Sequence, residues 1–333
     1  MKICIFGAGA VGGHLAVRLS RAGQDVSVIA RGEHLKAIRA NGLQLRIGDA
    51  QWHAAVQASD DPDHLGAQDV VIVTTKSTGL PQVVRTIAPL LGSRTIVVFA
   101  QNGIPWWYGQ SRHAGGELEG ALRALDPDGQ LHRTIDPERV VGAVIFSSNE
   151  VLSAGVVHND SPGANALVVG RPDDTTTPPL AELRAALEAS GVASPAPTSI
   201  RAAIWQKLQV NLAGSTLCLL LEQPVRALQA HPEMRTLFAR LLAEGRAIGA
   251  ALGDLPTEAM AALLPRAKPD PNHLPSILVD YIARRPMEID SIVRVPLALG
   301  QVLGVPCPVL DTVASIATAR AAAIGLYEDR VAG

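Results

Sequence analysis

Two stretches of this chain carry residue types whose spacing suits chemistry. The first is Gly7-Ala8-Gly9-Ala10-Val11-Gly12, directly after an apolar run at residues 1–6. A strand that breaks into glycines and resumes as a helix makes a dinucleotide-binding turn. The first glycine allows the turn, the second lets backbone approach a pyrophosphate, and the third lets the helix pack on its strand. The N–H groups of the helix N-terminus then face the phosphates. The apolar run at 25–30 ends in Arg31-Gly32. An acidic side chain there would take both ribose hydroxyls of NAD, whereas the forked guanidinium of Arg31 suits a 2′-phosphate and predicts NADP(H).

The second stretch is Ile204-Trp205-Gln206-Lys207-Leu208-Gln209-Val210-Asn211. Lys207 and Asn211 are four apart and share one helix face. Trp205, Leu208 and Val210 do not fall on a single narrow stripe, which predicts a segment enclosed on more than one side. A desolvated lysine there would have a lowered pKa suited to proton transfer. Two further loops follow apolar runs, Thr74-Thr75-Lys76-Ser77 and Gln101-Asn102-Gly103. Open α/β sheets bind ligands beyond the carboxyl ends of their strands. Lys76 would neutralise cofactor charge or orient substrate, and Asn102 would hydrogen-bond the nicotinamide region or the substrate. Pro286-Met287-Glu288-Ile289-Asp290 and Ser276 come much later. Periodicity does not bring them to Lys207, and Glu288 or Asp290 at a helix start would also serve as a dipole partner.

The elements that must position these residues divide at about residue 199. Strand-like runs at 1–6, 25–30, 69–75, 95–100, 140–146, 155–158 and 166–169 alternate with helical ones at 14–22 and 82–91. This is the pattern of a parallel sheet covered on both faces. Residues 175–179 read as a linker, 180–190 as a helix capped by Gly191, and 192–196 as a last short strand. Beyond 199 the chain becomes Ala/Leu/Arg-rich and helical. The expected fold is therefore α/β, an N-terminal Rossmann-type dinucleotide-binding domain at 1–198 followed by an all-helical domain at 199–333, with substrate bound in a cleft between them.

A length of 333 residues agrees with two domains, and 47% hydrophobic content supplies their cores with mostly aliphatic side chains. The net charge of −2, with both signs interspersed, gives no footprint for nucleic acid or an anionic membrane. No apolar segment is long enough to span a bilayer, and Arg18 and Arg21 interrupt any signal-peptide core. Cys4, Cys218 and Cys307 lie far apart in apolar runs, which suits core residues of a cytoplasmic protein better than disulfides or a metal motif. No metal site is expected. Trp106-Trp107-Tyr108, after Asn102-Gly103, would either wall a pocket or pack a long loop. The apolar stripe at 309–326 would be buried in its own domain or, in a homodimer, against a second copy.

The order of motifs is more specific than any one of them: GAGAVG, Arg31, Lys76, QNG, WQKLQVN, MEID. Together they resemble the ketopantoate reductase (2-dehydropantoate 2-reductase) family over nearly the whole chain. The resemblance implies reduction of a 2-keto acid, ketopantoate, by NADPH. It implies Lys207 as the catalytic lysine and proton donor, Glu288 near the nicotinamide side as a catalytic and cofactor residue, and Asn102 as a contact to both cofactor and substrate. Asn211, Ser215 and Ser276 would bind substrate. Gly7, Ala8, Gly9, Ala10, Val11, Gly12, Arg31 and Lys76 match the family's cofactor positions. The chain departs from the pattern after Asn211, where many members have a second asparagine followed by proline and this one reads Leu212-Ala213-Gly214-Ser215-Thr216. A later asparagine falls near Val225, and Arg294 stands where glycine is common. Fewer amide donors imply a different demand on the substrate.

Overall fold

The computed structural model describes residues 1–111, 116–161, 163–255, 257 and 271–328. The apolar run at the start forms β1 (Lys2–Phe6), the glycines turn the chain, and α1 (Ala10–Arg21) begins at once. β2 (Asp25–Ile29) and α2 (Gly32–Asn41) follow, then β3 (Leu43–Ile47), β4 (Ala50–Ala54) and β5 (Gln57–Ser59). β6 (Gln68–Val73), α3 (Leu80–Thr86) and β7 (Leu91–Phe99) complete the next crossover. The helix expected at 82–91 is shorter because Pro89 disfavours helical backbone in the residue before it, and residues Ala88–Leu90 tighten into a 3₁₀ turn.

After α4 (Glu119–Leu122) and α5 (Gln130–Thr134) come β8 (Val140–Phe146), β9 (Asn149–Ser153), β10 (Val156–Asn159), β11 (Ala166–Gly170) and α6 (Pro178–Ala189). Seven strands form one sheet in the order β11-β8-β7-β6-β1-β2-β5, parallel except for β11 against β8. Ile3, Ile5, Val28, Val70, Ile72 and Val98 are buried in its centre, as expected for strands covered on both faces. The sequence alternation of Leu43 and Leu45 with polar residues belongs to a second sheet, β4-β3-β10-β9, of which the strand assignments above contain only β10. The run at 155–158 joins this second sheet through β3, not the large one. Residues 192–196 make only a single bridge, Ala193 to Ala166. α6 starts at Pro178, inside the expected linker, because proline is pre-set for the first helical turn.

Among the described residues, the elements that follow are helical: α7 (Ile200–Val210), α8 (Thr216–Leu221), α9 (Val225–Ala230), α10 (Pro232–Leu252), α11 (Ser276–Ile282), α12 (Val295–Val302) and α13 (Pro308–Ala322). Two π-helical turns, Asn211–Ser215 and Asp290–Arg294, lead into α8 and α12. The fold is thus an α/β Rossmann-like unit followed by a helical region. Val309, Leu310, Val313, Ala314, Ala317 and Ala321 of α13 are buried within the helical unit, so the apolar stripe is covered by its own domain. Among the described residues no helix is long and apolar enough to cross a membrane. All three cysteines are free and buried.

The units do not divide at a single point. The first comprises 1–101 and 130–200, and residues 102–129 cluster with the helical unit although they leave a strand of the sheet. The cause is the aromatic triplet. Trp106, Trp107 and Tyr108 are fully or almost fully buried. The Tyr108 hydroxyl donates to Asp254 at 2.6 Å, and Arg201 Nε donates to the Tyr108 carbonyl at 2.9 Å. The Arg201 guanidinium, itself buried, lies over the Trp107 and Tyr108 rings. These contacts pack the loop into the helical unit.

Candidate active site

In the α/β unit, the turn after β1 is built by its glycines. Gly7 has φ of +105°, and a Cβ there would approach Thr75 Cγ2 to 2.8 Å. A Cβ on Gly12 would strike the Gly7 carbonyl, whereas one on Gly9 would meet nothing within 4 Å. Two glycines are therefore required by packing, and the middle one leaves its surroundings open to an approaching ligand. The Thr74 hydroxyl donates to the Gly7 carbonyl at 2.5 Å, and the Gly7 and Ala8 N–H groups donate to the Ile29 carbonyl. Ala10, Val11 and Gly12 form the first turn of α1, ahead of the Gly13 N–H bond to the Gly9 carbonyl.

Arg31 is exposed at the end of β2, where it precedes α2, and Lys76 sits just beyond β6. All these positions follow the carboxyl ends of the parallel strands β1, β2 and β6. Gln101, after β7, ties that edge together by donating from Nε2 to the Val73 and Thr75 carbonyls, both at 2.9 Å. Neither Thr74 nor Gln101 stands among the sequence-derived site residues. Thr74 lies one residue beyond β6 and Gln101 two residues beyond β7, in the two polar loops that the sequence marks.

In the helical unit, Lys207 lies on α7. Its Nζ donates to Asn102 Oδ1 at 2.8 Å. Burial lowers the Lys207 ammonium to about 8, and the charge of Glu288 opposes the fall. Glu288, from a segment about 80 residues downstream, is itself buried. Asn102, Lys207 and Glu288 are therefore brought together from three remote stretches. The enclosure expected of α7 holds for Trp205 and Leu208 but not for Val210, which is 51% exposed.

Gly103 fixes Asn102. It has φ of +83°, a Cβ on it would strike the Ser291 backbone, and the next residue, Ile104, donates its N–H to the Ser291 carbonyl at 2.7 Å. Ser291 belongs to the π-helical turn that follows Glu288, and nothing in its sequence neighbourhood marks it. That turn packs against the other one, Asn211–Ser215, which continues α7 past Lys207. Asn211 and Ser215 are half-buried at the two ends of their turn. α11 packs against the same turn, and its first residue, Ser276, is exposed. The structure thus places Asn211, Ser215 and Ser276 on adjoining elements. Arg294 closes the second turn, half-buried, and Asp290 accepts from the Tyr327 hydroxyl at 2.5 Å. Turns with an extra residue are frequent where a helix carries function.

A lysine ammonium of lowered pKa, hydrogen-bonded to an amide oxygen and within the field of a buried carboxylate, can donate a hydrogen bond and then a proton to an oxygen that gains negative charge.

Comparison with known proteins gives this geometry a family. Residues 3–173 match the model described as ketopantoate reductase PanE/ApbA, and residues 199–321 match its C-terminal counterpart. A 2-dehydropantoate 2-reductase from Mesorhizobium japonicum is 37% identical over 329 residues, covering 98% of this chain and 100% of the relative. A solved structure from Ralstonia solanacearum MolK2, provisionally described as a ketopantoate reductase, superposes with a TM-score of 0.84 at 33% identity, covering 98% of this chain and 99% of its own. A D-mandelate dehydrogenase solved with NADH and anilino(oxo)acetate shares the fold, with a TM-score of 0.80 at 22% identity over 97% of this chain and 99% of its own. The glycine turn, the lysine with its amide and carboxylate, and the full-length matches lead to one assignment: the chain belongs to the ketopantoate reductase family.

Proposed function

We propose that this protein is a cytoplasmic NADPH-dependent reductase that converts a 2-keto acid, ketopantoate in the first instance, to its 2-hydroxy acid. The observation that carries the reading is the half-buried Lys207, hydrogen-bonded to Asn102 at 2.8 Å and lowered to about 8. The residues after β1 fit a dinucleotide: Gly7 and Gly12 close the turn, and Gly9 leaves room for a pyrophosphate. Gly7–Gly12 would hold the pyrophosphate, Arg31 the 2′-phosphate, and Lys76, Asn102 and Glu288 the remainder. A reduced nicotinamide supplies the hydride that the carbonyl carbon accepts.

Everything else falls to the chain. Lys207 donates a hydrogen bond to the carbonyl oxygen, stabilises the charge that grows there, and passes its Nζ proton to it. Asn102 aims the ammonium through its Oδ1. Glu288 keeps it protonated at neutral pH, since an opposing carboxylate favours the charged lysine. Asn211, Ser215 and Ser276 orient the substrate.

A second reading concerns the substrate alone. Ser215 and the apolar Leu212, Ala213 and Val225 occupy the region in which the family more often carries amides, and this favours a 2-keto acid with fewer hydroxyl groups than ketopantoate. NADPH oxidation measured with ketopantoate and with a panel of branched and aromatic 2-keto acids decides between them. Turnover of none would sink the reductase reading.

A further inference from the structure

His34 lies on α2, three residues beyond Arg31, and both of its ring nitrogens are engaged. The Gly155 N–H donates to Nδ1 at 3.0 Å, and Nε2 lies 2.6 Å from the carbonyl oxygen of Ala8. A backbone N–H can only donate and a carbonyl can only accept, so Nδ1 accepts from Gly155 and the Nε2–H donates to Ala8. Ala8 is the second residue of the glycine turn. Gly155 is the left-handed residue, φ +76°, between β9 and β10 of the second sheet. The same hairpin meets the helix that follows the turn: a Cβ on Gly13 would come within 2.7 Å of Val157 Cγ2. Ala37, one turn along α2 from His34, lies 3.3 Å from a Cβ built on Gly155.

We propose that His34 is a positioning residue for the dinucleotide turn, fastening the Ala8–Gly9 peptide to the small sheet. Across a trans peptide the carbonyl and the next N–H point in opposite directions. Holding the Ala8 carbonyl therefore fixes the direction of the Gly9 N–H at the head of α1, where phosphate oxygens would be bound. The inference rests on the dinucleotide reading above and adds a residue that makes no contact of its own with the cofactor. It also gives the second sheet a purpose. That sheet packs on the helix after the turn through Val157, and His34 adds a hydrogen-bonded link to the turn itself.

His34→Asn separates the two bonds. Asparagine keeps an acceptor at the reach of Nδ1 for Gly155 and has no atom where Nε2 stands. His34→Gln, whose amide is longer, restores a donor toward Ala8. Dissociation constants for NADPH and NADH, read from cofactor fluorescence, should both rise about tenfold in His34→Asn, the equivalent of one hydrogen bond. The NADPH-to-NADH ratio, the KM for the keto acid and kcat at saturating cofactor should stay within about twofold. His34→Gln should recover most of the affinity. Wild-type affinity in a folded His34→Asn protein overturns the proposal. So does equal weakening in both variants that follows their loss of thermal stability, because that marks a purely structural residue. Failure of the wild type to bind either dinucleotide would instead overturn the cofactor reading itself.

Discussion

The glycine turn and the lysine site are assembled in opposite ways. The turn is contiguous: residues 7–12 form it by their own backbone geometry, and packing demands glycine at Gly7 and Gly12. The lysine site joins Asn102, Lys207 and Glu288, with 105 residues separating the two hydrogen-bonded partners. A contiguous motif stores its information in short-range sterics. A dispersed one stores it in the elements that carry each residue, here α7, the loop after β7 and the π-helical turn at Asp290–Arg294. Damage to the first should therefore appear in cofactor binding, and damage to the second in turnover.

The sharpest break in this contrast is Lys207→Ala. Removing the proposed proton donor should lower kcat by about 10³-fold, within the range for general acid catalysis, while NADPH affinity persists. Turnover within a few-fold of wild type would refute the role. Arg31→Ala should act on the other side alone, raising the KM for NADPH by about 10- to 100-fold through loss of a charge-assisted contact and leaving NADH unchanged. Indifference of the NADPH KM would return Arg31 to the status of a loop cation.

Gly103→Ala should lower kcat about tenfold and cost about 2 kcal/mol in denaturant unfolding, because its φ and the Ser291 backbone both resist a Cβ. An alanine variant as active and stable as wild type would show that Asn102 is held some other way. The mildest change concerns pH. The proposed reaction uses the Lys207 ammonium, so kcat should fall as pH rises through about 8. Glu288 raises that pKa, and Glu288→Gln should therefore shift the falling limb to lower pH, with activity largely retained on the acid side. An unmoved limb would separate the carboxylate from the lysine.

The same contrast explains what could be read from residues alone. β1, β6 and β7 are buried on both faces and announce themselves as apolar runs, and the glycine turn needs only its neighbours. β3 and β4 are half-exposed and short, with alternation too brief to stand out. The placement of residues 102–129 was illegible because its determinants, Arg201 and Asp254, lie 93 and 146 residues from Tyr108. Lys207 and Asn211 share a face by simple spacing, but nothing local ties Glu288 or Ser291 to them. Family resemblance linked Glu288 to the lysine, and only the structure showed that Gly103 and Ser291 are the joint between Asn102 and the π-helical turn.

That joint makes chain length a functional quantity. A π-helical turn holds one residue more than the α-helix around it, and here two such turns stand against each other. Deleting a single residue from 290–294 would let the segment relax into regular helix at little cost in backbone hydrogen bonds. It would also displace the Ser291 carbonyl that receives the Ile104 N–H and so undo the joint that fixes Asn102. Substitutions in this segment can be absorbed by side-chain repacking, whereas insertions and deletions cannot. Across relatives that keep the lysine chemistry, these two turns should vary in composition far more freely than in residue count.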